Sequence, residues 1–96
     1  LFQKDDVFYF DFEIEEIEDP FLFTNLSQAI QQTFSVSFSY TNRKNDTSSK
    51  TVAPLKIGNF EGSWYLVAYD LQKESIRIYH MLHIKDLTLL EEEFLS

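Results

Sequence analysis

The segment GNFEGSWYLVAYD, residues 58–70, decides the fold of this chain. Gly58 and Gly62 bracket a predicted turn, and residues 64–70 follow as a run without Gly or Pro. Successive side chains of a strand point to opposite faces, so this run predicts a strand with two different faces. One face carries Trp64, Leu66 and Ala68, and the other carries Tyr65, Val67 and Tyr69.

The burial of this strand decides between two roles for its aromatic residues. Exposed aromatic rings can stack nucleobases and would form a nucleic-acid platform. A central strand of a small barrel is instead buried on one face and partly on the other, so we expect most of these residues in the core. Tyr65 is the residue that we retain as a candidate for lining a pocket.

Strands are predicted on both sides of this segment. Five strands are predicted in all, and residues 64–70 are the third. The other four cover residues 36–40, 50–55, 75–80 and 84–90. Residues 41–49 form a polar loop and residues 71–74 a hairpin turn. Five short strands after a helix predict a mainly β fold, a small barrel of the SH3-like or Sm-like type.

The one predicted helix covers residues 25–34 and lies across one end of the barrel. Thr24 or Asn25 supplies the N-cap, and Gln28 stands three residues after Asn25, as in a capping box. An apolar stripe at helical spacing belongs to the core. It contains Leu26, Ala29, Ile30, Thr33 and Phe34.

An acidic and aromatic segment precedes the helix. In residues 7–14 the apolar side chains Phe8, Phe10, Phe12 and Ile14 alternate with Tyr9, Asp11 and Glu13, which predicts an extra strand. Pro20 argues against a ladder that continues beyond it. This strand either packs on a neighbouring domain or second subunit, or folds back as an arm on its own barrel.

Charge is distributed unevenly along the chain. The formal net charge is −8, but residues 1–23 carry −7, residues 89–96 carry −3 and residues 24–88 carry +2. We therefore expect an acidic arm and linker in residues 1–23, a barrel domain in residues 24–90 and an acidic tail in residues 91–96. The basic centre is compatible with a nucleotide or short nucleic acid, whereas wrapping of long duplex DNA is not expected.

Several classes of protein are excluded by composition. The absence of Cys rules out disulfides and thiolate metal sites, and no apolar run reaches the length of a membrane span, so we expect a cytoplasmic protein without a membrane partner. There is no Gly-rich nucleophile elbow and no phosphate-cradling loop, so neither an enzyme nor a bound cofactor is expected. His80 and His83, near Asp86, would point to opposite faces of a strand, which is poor metal-ligand geometry.

Three ordered segments carry a resemblance to a known family: residues 51–57, residues 58–70 with the Trp64-Tyr65-Leu66 tripeptide, and residues 76–79. Together they resemble the WYL domain, a small β-barrel found mostly in bacterial transcription regulators, over residues 26–90. The resemblance implies a ligand-sensing module rather than an enzyme. It also implies a helix-turn-helix domain upstream of Leu1, through which alone duplex DNA would be bound.

The resemblance implies an anion-binding face. Lys50 stands where the family commonly has Arg, and Arg77 matches the family's Arg at the start of the fourth strand. His80 and His83 stand where many members carry Arg, and protonated His binds anions better than neutral His, so binding is expected to depend on pH. Tyr40 matches the family's Phe-x-Tyr segment, and its hydroxyl either donates to a phosphate or caps the core.

Strand geometry limits how these residues can meet. Arg77 and Tyr79 share one face of the predicted fourth strand, and His80 belongs to the other face. Arg77 and His80 therefore cannot enter one pocket unless the strand bulges or ends before His80.

Two functions follow. The first is a ligand-sensing domain that binds an anionic nucleotide or single-stranded nucleic acid. The second is a protein-interaction module without a small ligand, in which Lys50 and Arg77 pair with partner carboxylates or with the acidic arm. Both functions include a homodimer formed through the arm or an edge of the barrel.

Overall fold

The computed structural model describes residues 16–17 and 19–93, with side chains up to residue 90. Helix α1 is Pro20–Gln32. The strands are β1 (Phe34–Thr41), β2 (Thr47–Phe60), β3 (Ser63–Asp70), β4 (Ser75–His80) and β5 (Ile84–Glu93). A 3-10 turn, Met81–His83, joins β4 to β5. The predicted strand over residues 7–14 lies outside the described residues.

The five strands form one antiparallel sheet in the order β4-β3-β2-β1-β5. Register shifts interrupt the β2–β3 and β1–β5 ladders, and such bulges let a sheet curl. The result is a small barrel-like fold with one helix, which confirms the predicted fold class. In the middle of the sheet, Val36 of β1 pairs with Val52 of β2 on one side and with Leu89 of β5 on the other.

The helix begins five residues earlier than predicted. Asp19 is the N-cap and accepts a hydrogen bond from the Phe21 N–H at 2.9 Å, while Pro20 occupies the first helical position. Pro suits that position because its missing N–H would have no helical partner there. Thr24 and Asn25, the predicted caps, lie inside the helix. The helix ends at Gln32, and Thr33 closes it in a left-handed conformation.

Strand β2 is longer than the predicted strand over residues 50–55, and it includes Gly58, which was expected to border the turn. Pro54 is buried inside the strand, directly before the register shift at Lys56, where a missing N–H is tolerated. Gly58 also lies within β2, opposite Tyr65, so the prediction that Gly58 and Gly62 bracket the turn is wrong. The turn is the pair Glu61–Gly62, which both have positive φ.

The remaining strand predictions differ little from the structure. The hairpin turn over residues 71–74 and strand β4 are confirmed, β1 and β5 extend beyond their predicted ends, and the polar loop shortens because β2 begins at Thr47.

The core lies between the helix and the concave face of the sheet. Helix residues Leu22, Leu26 and Ala29 are buried against the strands. Strands β1 to β5 and the 3-10 turn contribute Val36, Phe38, Val52, Leu66, Ala68, Tyr79, Met81 and Ile84. The predicted helical stripe is therefore correct for Leu26 and Ala29, whereas Thr33 is exposed as a cap and Phe34 begins β1. Among the described residues, the single helix is too short to cross a membrane.

A seam closes the barrel between β4 and β1. No ladder joins these two strands, and instead the Tyr40 hydroxyl accepts a hydrogen bond of 3.0 Å from the backbone N–H of His80. The 3-10 turn then carries the chain from His80 into β5, which pairs with β1. A side chain and a short turn therefore bring the end of β4 to the end of β1.

Candidate functional site

Lys50 and Arg77 lie on the same face of the sheet. One row of paired residues crosses β2, β3 and β4 and consists of Val52, Asp70 and Ser75. Directly paired residues project from the same face of a sheet. Lys50 is two residues from this row on β2, and Arg77 is two residues from it on β4. The strand register therefore places the two predicted basic residues on the concave face, diagonally on either side of Asp70.

Arg77 is exposed, and a hydrogen bond to Ser75 orients its guanidinium group. Its Nε donates a hydrogen bond of 3.1 Å to the Ser75 hydroxyl, which projects from the same face of β4. This contact uses one of the five guanidinium donors, and within the described residues it leaves the terminal nitrogens available for a bidentate anion contact.

Asp70 and Tyr79 lie between the two basic residues, and neither was predicted from the sequence as a site residue. The Asp70 side chain is only 1% exposed. One carboxylate oxygen accepts the N–H groups of Gln72 and Lys73 at 2.9 and 3.1 Å, and the other accepts the Tyr79 hydroxyl at 3.1 Å. An Asp that ends an apolar strand just before a polar turn is the sequence signal that would have found it.

The environment of this pair fixes its protonation. Burial opposes the charged carboxylate, but the Lys73 and Gln72 N–H groups, the Tyr79 hydroxyl and the charge of Lys50 together lower the pKa of Asp70. Burial, followed by the charge and hydrogen bond of Asp70, raises the pKa of Tyr79 and outweighs the opposite influence of Arg77. Asp70 is therefore an anion, and the neutral Tyr79 hydroxyl donates a hydrogen bond to it.

Four predicted binding residues form a row of rings at the seam. Tyr65 stacks on His80 with ring centroids 5.2 Å apart, and His80 stacks on His83 at 4.9 Å. Tyr40 lies beside His83 at 6.2 Å, with its ring tilted by 39°. The His83 Nδ1 lies 2.9 Å from the Thr41 carbonyl oxygen, a contact that requires Nδ1 to carry the proton.

Tyr40 joins the ring row to the basic face. Its ring packs edge-to-face against Tyr79 with centroids 5.1 Å apart, and Tyr79 in turn donates to Asp70. Arg77 and His80 lie on opposite faces of β4, as strand periodicity predicts, since Arg77 pairs with Ala68 and His80 with Tyr65. The basic pair and the ring row are thus adjacent but do not share one pocket.

A shallow cleft of about 370 Å³ lies on the convex face, where Tyr65 borders it. Its other lining residues are Lys56, Gly58, Asn59, Phe60, Val67 and Ile78. Within the described part of the chain, no group of three or more His, Asp or Glu side chains has the arrangement of a metal site.

The family follows from comparison of the chain with known proteins. The family model of the WYL domain matches residues 22–89, which covers most of the chain and most of the helix. The chain belongs to the WYL-domain family.

Two relatives set this WYL domain in context. It is 31% identical over 70 residues to YobV of Bacillus subtilis (strain 168), described as an uncharacterized HTH-type transcriptional regulator. The aligned part covers 73% of this chain and 22% of that protein, so the chain spans about a fifth of the relative's length. Its fold is similar to proteasome accessory factor B/C (PafBC) of Arthrobacter aurescens, with a TM-score of 0.75 and 21% identity over 84% of this chain and 13% of that one.

Proposed function

We propose that this WYL domain is the ligand-sensing domain of a bacterial helix-turn-helix transcription regulator and binds a nucleotide or a single-stranded nucleic acid. The observation that carries the proposal is the placement of Lys50 and Arg77 on one face, next to a row of stacked rings. The HTH-type relative YobV supports the regulatory context.

The basic face supplies the contact to phosphate. Arg77 offers a planar fork that matches two phosphate oxygens, and Ser75 orients it from behind. Lys50 adds a point charge on the other side of Asp70. The buried Asp70 carboxylate already accepts three hydrogen bonds, from Gln72, Lys73 and Tyr79, so it competes little for the donors of Arg77.

The ring row supplies the contact to a base. Tyr65, His80 and His83 are each half-buried, so each retains some exposed surface. A base that stacks on such a row gains free energy of roughly 1–3 kcal/mol with little dependence on its identity. Phosphate on the concave face and a base at the seam would place one ligand across Tyr40.

Sensing requires that the ligand bind one arrangement of the regulator better than another. A ligand with equal affinity for both arrangements shifts no equilibrium, however tightly it binds. The barrel seam is a place where the ligand would act, because Tyr40 joins the basic face to the ring row there.

Arg77→Ala tests the proposal against a matched control. Arg43, the other Arg of the chain, is exposed in the turn between β1 and β2, so Arg43→Ala removes the same charge away from the site. We expect Arg77→Ala to weaken binding by about 1.5–3 kcal/mol, as loss of a charged hydrogen bond does, and Arg43→Ala to change it little.

The measurement is fluorescence anisotropy of labelled short single-stranded DNA, RNA and a cyclic dinucleotide at low salt. Titrations at pH 6 and pH 8 show whether protonation of His80 and His83 contributes. Equal effects of the two Arg substitutions would reduce the binding to general electrostatics and contradict a site at Arg77. Absence of binding by the unaltered chain would contradict the ligand-sensing function for these ligands.

A second candidate is an interaction module without a small ligand, and the convex face favours it. Phe60, Ile76 and Ile78 are 67%, 55% and 66% exposed there, and grouped exposed apolar side chains are typical of interfaces. This function predicts self-association that Phe60→Ser weakens, measured by sedimentation velocity, without any effect of added nucleotide.

A further inference from the structure

Gly58 leaves an open space within a strand. It lies in β2, directly opposite Tyr65 of β3. A Cβ atom added to Gly58 would have no described atom within 4 Å apart from those of its chain neighbours. The φ angle of Gly58 is not positive, unlike that of Gly62. Neither the backbone conformation nor packing against the described residues therefore requires Gly at this position.

A glycine inside a strand has a cost that calls for a reason. Gly loses more conformational freedom on folding than any other residue and offers no side chain for packing. Such a glycine often marks a place where a ligand comes close to the backbone. The space above Gly58 is open, so this explanation fits the geometry.

One face of the Tyr65 ring is turned toward this space. On the β4 side, Tyr65 is stacked on His80, with ring centroids 5.2 Å apart and planes inclined by 29°. On the β2 side its partner is Gly58. A stacked neighbour covers only one face of a ring, so the other face of Tyr65 lies toward Gly58. A planar group above Gly58 would extend the row of rings by one member.

The convex cleft of about 370 Å³ contains this space. Phe60, Val67 and Ile78 give it apolar walls. Pockets for small molecules have volumes of about 300–1,000 Å³, so the cleft suits a ligand at the lower end of the range. A ligand with one or two fused rings is the expected size.

The polar groups at the border of the cleft are donors. Lys56 pairs with Val67, is exposed, and is the one charged residue among those that line the cleft. The Asn59 Oδ1 accepts the Gly62 N–H at 3.2 Å, which leaves the amide NH₂ of Asn59 as a donor. Donors beside an apolar space match an aromatic ring that carries one carboxylate. A nucleobase fits less well, because apolar walls leave its polar edges without partners.

We propose that the convex cleft binds a small aromatic carboxylate. Its ring lies above Gly58, against the free face of Tyr65, and its carboxylate lies toward Lys56. Lys50 and Arg77 project from the opposite face of the sheet, so this site does not depend on the proposed function.

The probe is 2-naphthoate, and the amide signals of the full chain in NMR titrations report where it binds. We expect saturable shifts at residues 56–60 and 65–67, and not along β5. The neutral 2-naphthamide has the same rings without the charge. We expect it to bind about two- to fivefold more weakly, as loss of one exposed ion pair predicts.

Gly58→Val fills the space above the backbone. We expect the variant to keep or raise the midpoint of urea unfolding, because Val favours strands and the space is open. Its affinity for 2-naphthoate should fall by about tenfold, within the range that loss of one aromatic stack produces. Ser49→Val is the control, since Ser49 is exposed on β2 about 30 Å away along the strand, and it should leave the affinity unchanged.

Lys56→Met tests the charge. The variant should bind 2-naphthoate and 2-naphthamide equally well. Lys85→Met removes the same charge from an exposed position on β5, so it should keep the preference for 2-naphthoate.

Several outcomes overturn the proposal. Equal binding by Gly58→Val and the unaltered chain contradicts a ring above Gly58, and absence of saturable shifts in the cleft contradicts the site. If Gly58→Val does not fold, Tyr65→Leu replaces it, and undiminished binding by that variant is the contradicting result.

Self-association is distinguished in the same spectra. Shifts at the cleft that depend on protein concentration without the probe would show that a second copy occupies it, against the proposal. Because none of these titrations uses a nucleotide, a failure here is distinct from a failure of the Arg77 binding test.

Discussion

At the scale of single residues, Asp70 organises more of the site than any residue selected from the sequence. It closes the turn after β3, accepts the Tyr79 hydroxyl and lies between Lys50 and Arg77. Its neighbours in sequence show only that a polar residue ends a strand. Its burial depends on β2 and β4, which are brought together by pairing and not by sequence proximity.

Asp70→Asn is expected to destabilise the fold by about 1–3 kcal/mol at neutral pH, because a buried charged acceptor is lost. Since the folded-state pKa of Asp70 is lowered, its contribution is fully present above its ordinary pKa of 3.8 and is lost as pH falls through the folded value. Urea unfolding at several pH values should therefore show a smaller acid loss of stability in the variant. Asp46→Asn, which removes the same charge from an exposed turn, is the control.

Tyr40→Phe is expected to cost about 0.5–1.5 kcal/mol, because the His80 N–H loses its acceptor while the ring contacts remain. Tyr65→Phe is the matched control, since the Tyr65 hydroxyl makes no hydrogen bond to the described residues. Chemical denaturation of both variants measures the difference. Equal midpoints would show that the seam hydrogen bond does not stabilise the fold.

At the scale of elements, local sequence signals predicted β4 and its turn but misplaced the start of the helix. Residues 75–80 follow the polar turn of residues 71–74 and alternate in side-chain character, so the start of this strand is fixed locally. Asp19-Pro20 is compatible with the end of a strand and equally with an N-cap followed by the first helical residue. Leu22 stands four residues before Leu26 and continues the apolar stripe at helical spacing, and its packing against the sheet selects the helix.

Asp19→Ala is expected to destabilise the domain by about 1 kcal/mol, because the Phe21 N–H loses its capping acceptor. Thr24→Ala, at the predicted but incorrect cap, should be neutral or slightly stabilising, since Ala favours a helix interior. Thermal unfolding followed by circular dichroism distinguishes the two. A larger loss for Thr24→Ala would contradict the cap assignment.

At the scale of the whole molecule, the order of predicted elements was sufficient for the fold class but not for the site. Alternation assigned Tyr65 and His80 to strand faces correctly. It did not show that the 3-10 turn stacks His83 on His80, or that the register places Lys50 and Arg77 on one face. Those relations depend on β-bulges and closure, which are properties of the folded sheet.

The overall charge of −8 limits how much of a nucleic acid this domain can contact. With Lys50 and Arg77 as the phosphate contacts, log affinity for a single strand should fall with log salt at a slope of about −1.4, or roughly −0.7 per contact. Arg77→Ala should bring the slope to about −0.7. Anisotropy titrations over a salt series measure it, and a much steeper slope would indicate contacts beyond this face.

Because the Tyr40 hydroxyl closes the barrel, the exchange rate of one backbone amide can report how often the barrel opens. The amide proton of His80 is bonded across the seam, whereas the other β4 amides that are bonded in the sheet pair with β3. Its exchange with deuterium therefore requires that the seam between β4 and β1 part, while exchange of the β3-bonded amides requires that the sheet come apart. The ratio of the two exchange rates would report how often the barrel opens without unfolding.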